Sequence, residues 1–230
     1  MALQPIQTAT TQSSTSLAQH RVLRNTYWLL AISLVPTAIG AVLGTGIDFS
    51  FMRASPMLSS FAILGIFYAW IYAIERNRTS SLGVWLLLGF TLFMGLLLGP
   101  LFQRVLGFAN GAQLVMLATG GTAAVFFVMA GIATTTKRDL TGLGNFLTVG
   151  AIVLMLAVVV NIFFANLTAY LVIVSAFILF SSLVILWQVN QIVRGGETNY
   201  ISATLTLYVS IYNLFSSLLQ LLGIFGGQRD

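Results

Sequence analysis

From Tyr27 onward the chain runs as long apolar stretches separated by short polar or charged breaks. Seven stretches stand out: Tyr27 to Gly46, Pro56 to Ile74, Leu82 to Leu98, Ala112 to Ala133, Leu143 to Phe164, Ala169 to Trp187 and Ile201 to Phe225. Each approaches the roughly 20 residues that carry a helix across a bilayer. A transmembrane strand would need about half that length and would alternate apolar with polar positions, which none of them does. The pattern therefore predicts an all-α membrane protein with seven transmembrane helices in one domain, residues 20–230. The gap Ala165–Thr168 allows only a tight reversal, so segments five and six are expected as antiparallel neighbours. Gly99-Pro100 should end segment three, because proline has no N–H to donate and crowds the preceding turn. Residues 1–19 are polar, uncharged and without apolar periodicity. They read as a retained disordered tail. A secretory signal would need a basic start and an apolar run of about 7–15 residues.

Composition agrees. Of 230 residues, 58% are hydrophobic and 7% charged, against about 25% charged in an average soluble domain. Too few charges exist to cover a soluble globule, and the partner implied at once is the lipid bilayer. The net charge of +5 comes from scattered basic residues, so no patch for nucleic acid forms. Those residues do fall unequally on the two sides of the seven segments. Arg21, Arg24, Arg76, Arg78, Lys137, Arg138 and Arg194 lie on one side; Arg53, Arg104 and Arg229 lie on the other. The cytoplasmic side collects Lys and Arg, which puts the N-terminus and the 1–19 tail in the cytoplasm and the C-terminus outside.

Parts for catalysis are scarce. There is no cysteine, and the single histidine, His20, precedes the first segment. The carboxylates Asp48, Glu75, Asp139, Glu197 and Asp230 all fall in expected loops, segment ends or the tail. No phosphate-cradling or zinc-binding motif occurs, so an enzyme is not expected, nor a metal or cofactor. Neutral polar residues gather late in the chain: Gln188, Asn190 and Gln191, then Tyr208, Ser210, Tyr212 and Asn213. Two readings stand for them: hydrogen bonds that fix segment seven in a bundle, or a hydrated passage. Gly40 with Gly44, Gly95 with Gly99, and Gly120-Gly121 offer close helix contacts, since small faces supply packing in lipid. The loop Arg194-Gly195-Gly196-Glu197-Thr198-Asn199 reads as a glycine helix stop, followed by a helix start at Glu197 and Thr198.

Several stretches carry a resemblance: His20 to Tyr27, Leu98-Gly99-Pro100, Gly120 to Phe127 and, most specifically, Gly195 to Ile201 (GGETNYI) and Leu207 to Phe215 (LYVSIYNLF). Spread in order over about nine-tenths of the chain, they resemble the Bax inhibitor-1 (transmembrane BAX inhibitor motif) family, especially its bacterial YccA-like branch. The resemblance implies a bundle with the last helix central and the other six around it in antiparallel pairs. It also implies a bacterial inner-membrane location and two functions. Members of the branch modulate the membrane AAA protease FtsH and are its slow substrates. Other members behave as pH-gated calcium leak channels through two aspartates, one in helix six and one in helix seven. Those positions fall at Gln188 and Ser210, neither of which is an acid. The expected function is thus binding and modulation of an FtsH-type protease. The alternative is an ion leak, weakened by the missing acid pair.

Overall fold

The computed structural model describes residues 6–136 and 138–227, with side chains from residue 18 onward except Arg53. Described residues form α1 (Ile6–Thr45), α2 (Ser50–Ala54), α3 (Pro56–Arg76), α4 (Ser81–Leu97), α5 (Gly99–Leu106), α6 (Gly111–Thr135), α7 (Thr141–Phe164), α8 (Leu167–Arg194) and α9 (Tyr200–Gly226). Seven of the spans they make are long and apolar enough to cross a membrane, with α4 and α5 counting together as one.

Three boundaries depart from the sequence expectation. Helix α1 begins at Ile6, so the polar stretch expected to be disordered is helical over 6–19, while 1–5 lie outside the described residues. Once a long helix is nucleated, adding residues at its end is cheap, and Thr, Gln and Ala continue it. Gly99-Pro100 interrupts segment three without ending the span. Pro100 sits in the first turn of α5, where its missing N–H would have had no helical partner. The reversal between α7 and α8 is tighter than expected. Ala165 takes a left-handed conformation (φ 46°), and the Asn166 side chain accepts from the Ala169 N–H, so α8 starts at Leu167.

Helix α9 packs against α1, α3, α4, α5, α6 and α8. Its Leu207, Leu214 and Leu219 are fully buried, as are Leu87 and Phe90 of α4 and Ile185 and Val189 of α8. It is the central helix. The six spans around it are not paired simply with their chain neighbours. Helices α1 and α4 lie side by side in parallel, Gly40 meeting Gly95 and Gly44 meeting Gly99. Helix α3 packs on α4 and not on α1. The second half repeats this: α6 and α7 both pack on α8 and not on each other. Successive spans run in opposite directions, so two three-span units share one packing pattern in inverted orientation, an arrangement familiar from membrane transporters. Among the described residues no Cα atoms of α7 and α9 come within 8 Å, and of the α7 residues only Leu147 is buried. Phe146, Val149, Ile152 and Leu156 face outward, as suits a helix solvated by lipid.

Candidate functional site

Along α9, Ser202, Thr206, Ser210, Asn213, Ser217 and Gln220 recur at spacings of three and four. At about 100° per residue they stay within an arc of roughly 80° over five turns. The result is a polar stripe along one face of the helix. At one end the Ser202 hydroxyl donates to Glu75 Oε2 of α3 at 2.9 Å. At the other, Tyr170 of α8 donates to the Gln220 side-chain oxygen, beside a cavity of about 290 Å³ lined also by Asn161, Asn213, Ser216 and Ser217. Between them, the Ser210 hydroxyl donates to Thr206 O at 2.8 Å.

The α8 side supplies Val174, Ser181 and Gln188, seven apart and so on one face. All three are buried. Ser181 Oγ and Gln188 Nε2 have no hydrogen-bond partner among the described residues, although an unpaired buried polar atom costs about 1–3 kcal/mol. The structure thus buries Gln188 and Ser210 on facing helices, and no hydrogen bond joins them among the described residues. Asn213 is half-buried on the cavity wall. Tyr208 points the other way, its hydroxyl 2.8 Å from Thr37 Oγ1 of α1 and donating to Thr91 O of α4 at 3.3 Å. Tyr208 and Tyr212 therefore do not belong to the stripe.

The loop motif closes one end of the bundle. Gly195 adopts the left-handed conformation (φ 77°) that ends α8, and the Gly196 N–H returns to Gln191 O at 2.8 Å. A side chain at Gly195 would be strained by that φ, which is why glycine stands there. The helix start expected at Glu197 and Thr198 lies two residues later. Asn199 is the N-cap of α9, its Oδ1 accepting from the Ile201 and Ser202 N–H groups. Glu197 instead accepts from the Asn199 N–H at 2.7 Å, and Thr198 is exposed. An asparagine caps better here because its amide still has a donor to spend. Asn199 Nδ2 donates to Arg78 O in the α3–α4 turn at 2.8 Å.

Two further links hold the same end together. Asn190 Nδ2 donates to Ala133 O and its Oδ1 accepts from the Leu140 N–H; Gln191 Nε2 reaches Thr141 Oγ1 at 3.3 Å. The α3–α4 and α6–α7 loops on this side are therefore tied to the α8–α9 turn and the last turn of α8. Asp139, in the α6–α7 loop, is held below the usual carboxylate range by hydrogen bonds from the Thr141 hydroxyl and N–H, with a smaller contribution from Arg194. Arg78 pairs with Glu75 at 3.6 Å.

Sequence reasoning had singled out Gln188, Ser210, Asn213 and the 194–199 loop. Glu75 stood out there only as a segment-end carboxylate, and Asn161, Tyr170 and Gln220 did not stand out, although Asn161 and Gln220 are legible as amides inside apolar runs. The packing glycines form a separate feature: a Cβ added at Gly95 would lie 2.2 Å from Thr37 O, and one at Gly99 2.4 Å from Gly44 O.

Comparison with known proteins adds the family to this geometry. The family described as inhibitor of apoptosis-promoting Bax1 matches residues 19–227, from the α1 span to the end of α9. The chain belongs to the Bax inhibitor family. An uncharacterised Neisseria meningitidis protein is 45% identical over 215 residues, 93% of this chain and 95% of the relative. The Escherichia coli protein named modulator of FtsH protease YccA is 40% identical over 207 residues, 90% and 91% of the two chains. A Vibrio cholerae membrane protein is 37% identical over 220 residues, 96% of both. Among Bax inhibitor family members, this multi-pass chain thus aligns over nine-tenths of its length with a protein named as a modulator of a protease.

Proposed function

We propose that the chain is an inner-membrane regulator that binds and modulates an FtsH-type AAA protease and is itself degraded slowly. The observation that carries this reading is the 40% identity, over nine-tenths of both chains, to the Escherichia coli modulator of FtsH. Seven spans with few loops leave little for the protease to grip except an end. The Lys and Arg bias supports a cytoplasmic N-terminus, where the polar residues 1–19, helical from Ile6 onward, would unwind to serve as that handle. Spans tied together at their cytoplasmic loops then resist extraction, and a slow substrate occupies the enzyme. Catalysis has no role in this account. The Gly195–Asn199 turn, the packing glycines and the Gln188/Ser210/Asn213 seam act as structural elements.

A second reading, ion leak, draws on the polar stripe of α9. Ser210 of the stripe and Gln188 of the facing α8 are both neutral, so the seam lacks the acid pair through which a proton could gate calcium, and the charge that gives calcium sites their affinity. Deleting residues 2–15 separates the two. The handle reading expects normal membrane insertion with a longer half-life in cells with active protease, and loss of co-purification with the protease. An unchanged half-life would overturn it.

A further inference from the structure

Among the described residues no Cα atoms of α1 and α6 come within 8 Å, although the Tyr27 and Phe126 rings meet edge to face across the gap, centroids 6.1 Å apart. The space between them, floored by α9, is a cleft of about 660 Å³. We propose that this cleft holds an acyl chain of one anionic phospholipid, with its headgroup at Arg24.

The walls are kept low by small residues, Ala31 and Ala38 on α1 and Thr122 and Ala123 on α6, while Tyr212 and Phe215 form the floor. Its threonines are already engaged: Thr119 donates to Val115 O, Thr122 to Ala118 O and Thr37 to Ser33 O, with Tyr208 beside it. The Tyr27 and Tyr212 hydroxyls have no hydrogen-bond partner among the described residues, but most of the lining is apolar and matches a hydrocarbon chain. The α1 lining from Tyr27 to Ala41 runs about 21 Å at 1.5 Å per residue, a length that an extended acyl chain can follow.

Continuity with the lipid-facing surface gives access. Leu34 and Phe127 line the cleft yet are 45% and 71% exposed, so its mouth opens where α1 and α6 meet the bilayer. Charge then selects the headgroup. Arg24 is exposed and stands seven residues before Ala31 and fourteen before Ala38, hence on the same face of α1, one turn beyond the apolar lining. Arg21 lies one turn further. An interfacial arginine above an acyl-chain groove favours a phosphate with net negative charge.

Native mass spectrometry of the full chain in mild detergent tests this, with added dioleoyl phosphatidylglycerol or dioleoyl phosphatidylcholine. The wild type should keep one phosphatidylglycerol through washing that strips bulk lipid. Ala38→Phe and Ala123→Phe, each placing a ring in the cleft, should lose it, while Val149→Phe on the outward face of α7 should not. Arg24→Gln should lower the preference for phosphatidylglycerol roughly fivefold, the worth of one interfacial arginine. Wild type without retained lipid, or both cleft-filling variants retaining lipid at the wild-type level, would overturn the proposal. So would an Ala38→Phe variant whose self-association changes while its lipid content does not, since a second copy would then occupy the cleft. Should either filled variant fail to fold, the other and the wild-type comparison of the two lipids still decide.

Discussion

Asn199 joins two turns that are 121 residues apart: its Nδ2 donates to Arg78 O at 2.8 Å while its Oδ1 caps the first turn of α9. The two roles use different atoms, so they can be separated. Asn199→Asp keeps the cap and loses the donor; Asn199→Ala loses both. In detergent, thermal unfolding should rank wild type above Asp above Ala, with about 1 kcal/mol lost for the cross-link and about 1 more for the cap. Equal melting of wild type and the Asp variant would show that the link to Arg78 carries no weight.

The glycines divide into two groups with opposite expectations. A Cβ at Gly95 meets the Thr37 carbonyl at 2.2 Å, a backbone atom that cannot swing aside, whereas Gly131 has nothing within 4 Å. Gly95→Ala should therefore destabilise the bundle by about 3 kcal/mol. Gly131→Ala should be neutral or stabilise by up to about 1 kcal/mol through helix propensity. Steric trapping or thermal melts of the two variants read the contrast directly.

Acidity should act at a loop and not at the seam. Thr141 holds the Asp139 pKa below its ordinary value, so the stabilisation is present above the unfolded-state pKa and is lost as pH falls through the folded one, in the region below about pH 4. Thr141→Ala should raise the Asp139 pKa toward the ordinary value, which a carboxylate-detected titration would register. Between about pH 6 and 8, neither Gln188 nor Ser210 can titrate, so calcium flux into liposomes should not respond to pH through them. Installing the pair as Gln188→Asp with Ser210→Asp should create a pH response, because two nearby carboxylates push one pKa upward. A strong response in the unmodified chain would contradict this.

Much of the fold was legible because lipid imposes a simple rule on sequence. A span must be apolar for about 20 residues, and all seven apolar runs coincide with crossing helices. The Gly95 and Gly99 contact was legible for a similar reason, since two glycines four apart leave a flat strip. That Gly40 and Gly44 are what they meet was not, because nothing local marks which helices become neighbours. The Pro100 restart and the helical 6–19 stretch were misread because a proline or a polar run has one meaning alone and another beside an established helix. Of the polar seam, Gln188, Ser210 and Asn213 were found by composition. Tyr170 and Gln220 emerged only when antiparallel packing brought residues 50 apart into contact.

The regulator reading is tested most directly by purified FtsH-type protease in proteoliposomes degrading a second membrane substrate, with increasing amounts of this chain. The account predicts that degradation slows in proportion to the chain added, while the chain itself disappears slowly, and that removing residues 2–15 abolishes both effects. A degradation rate unmoved by excess chain, with the chain left intact, would contradict it.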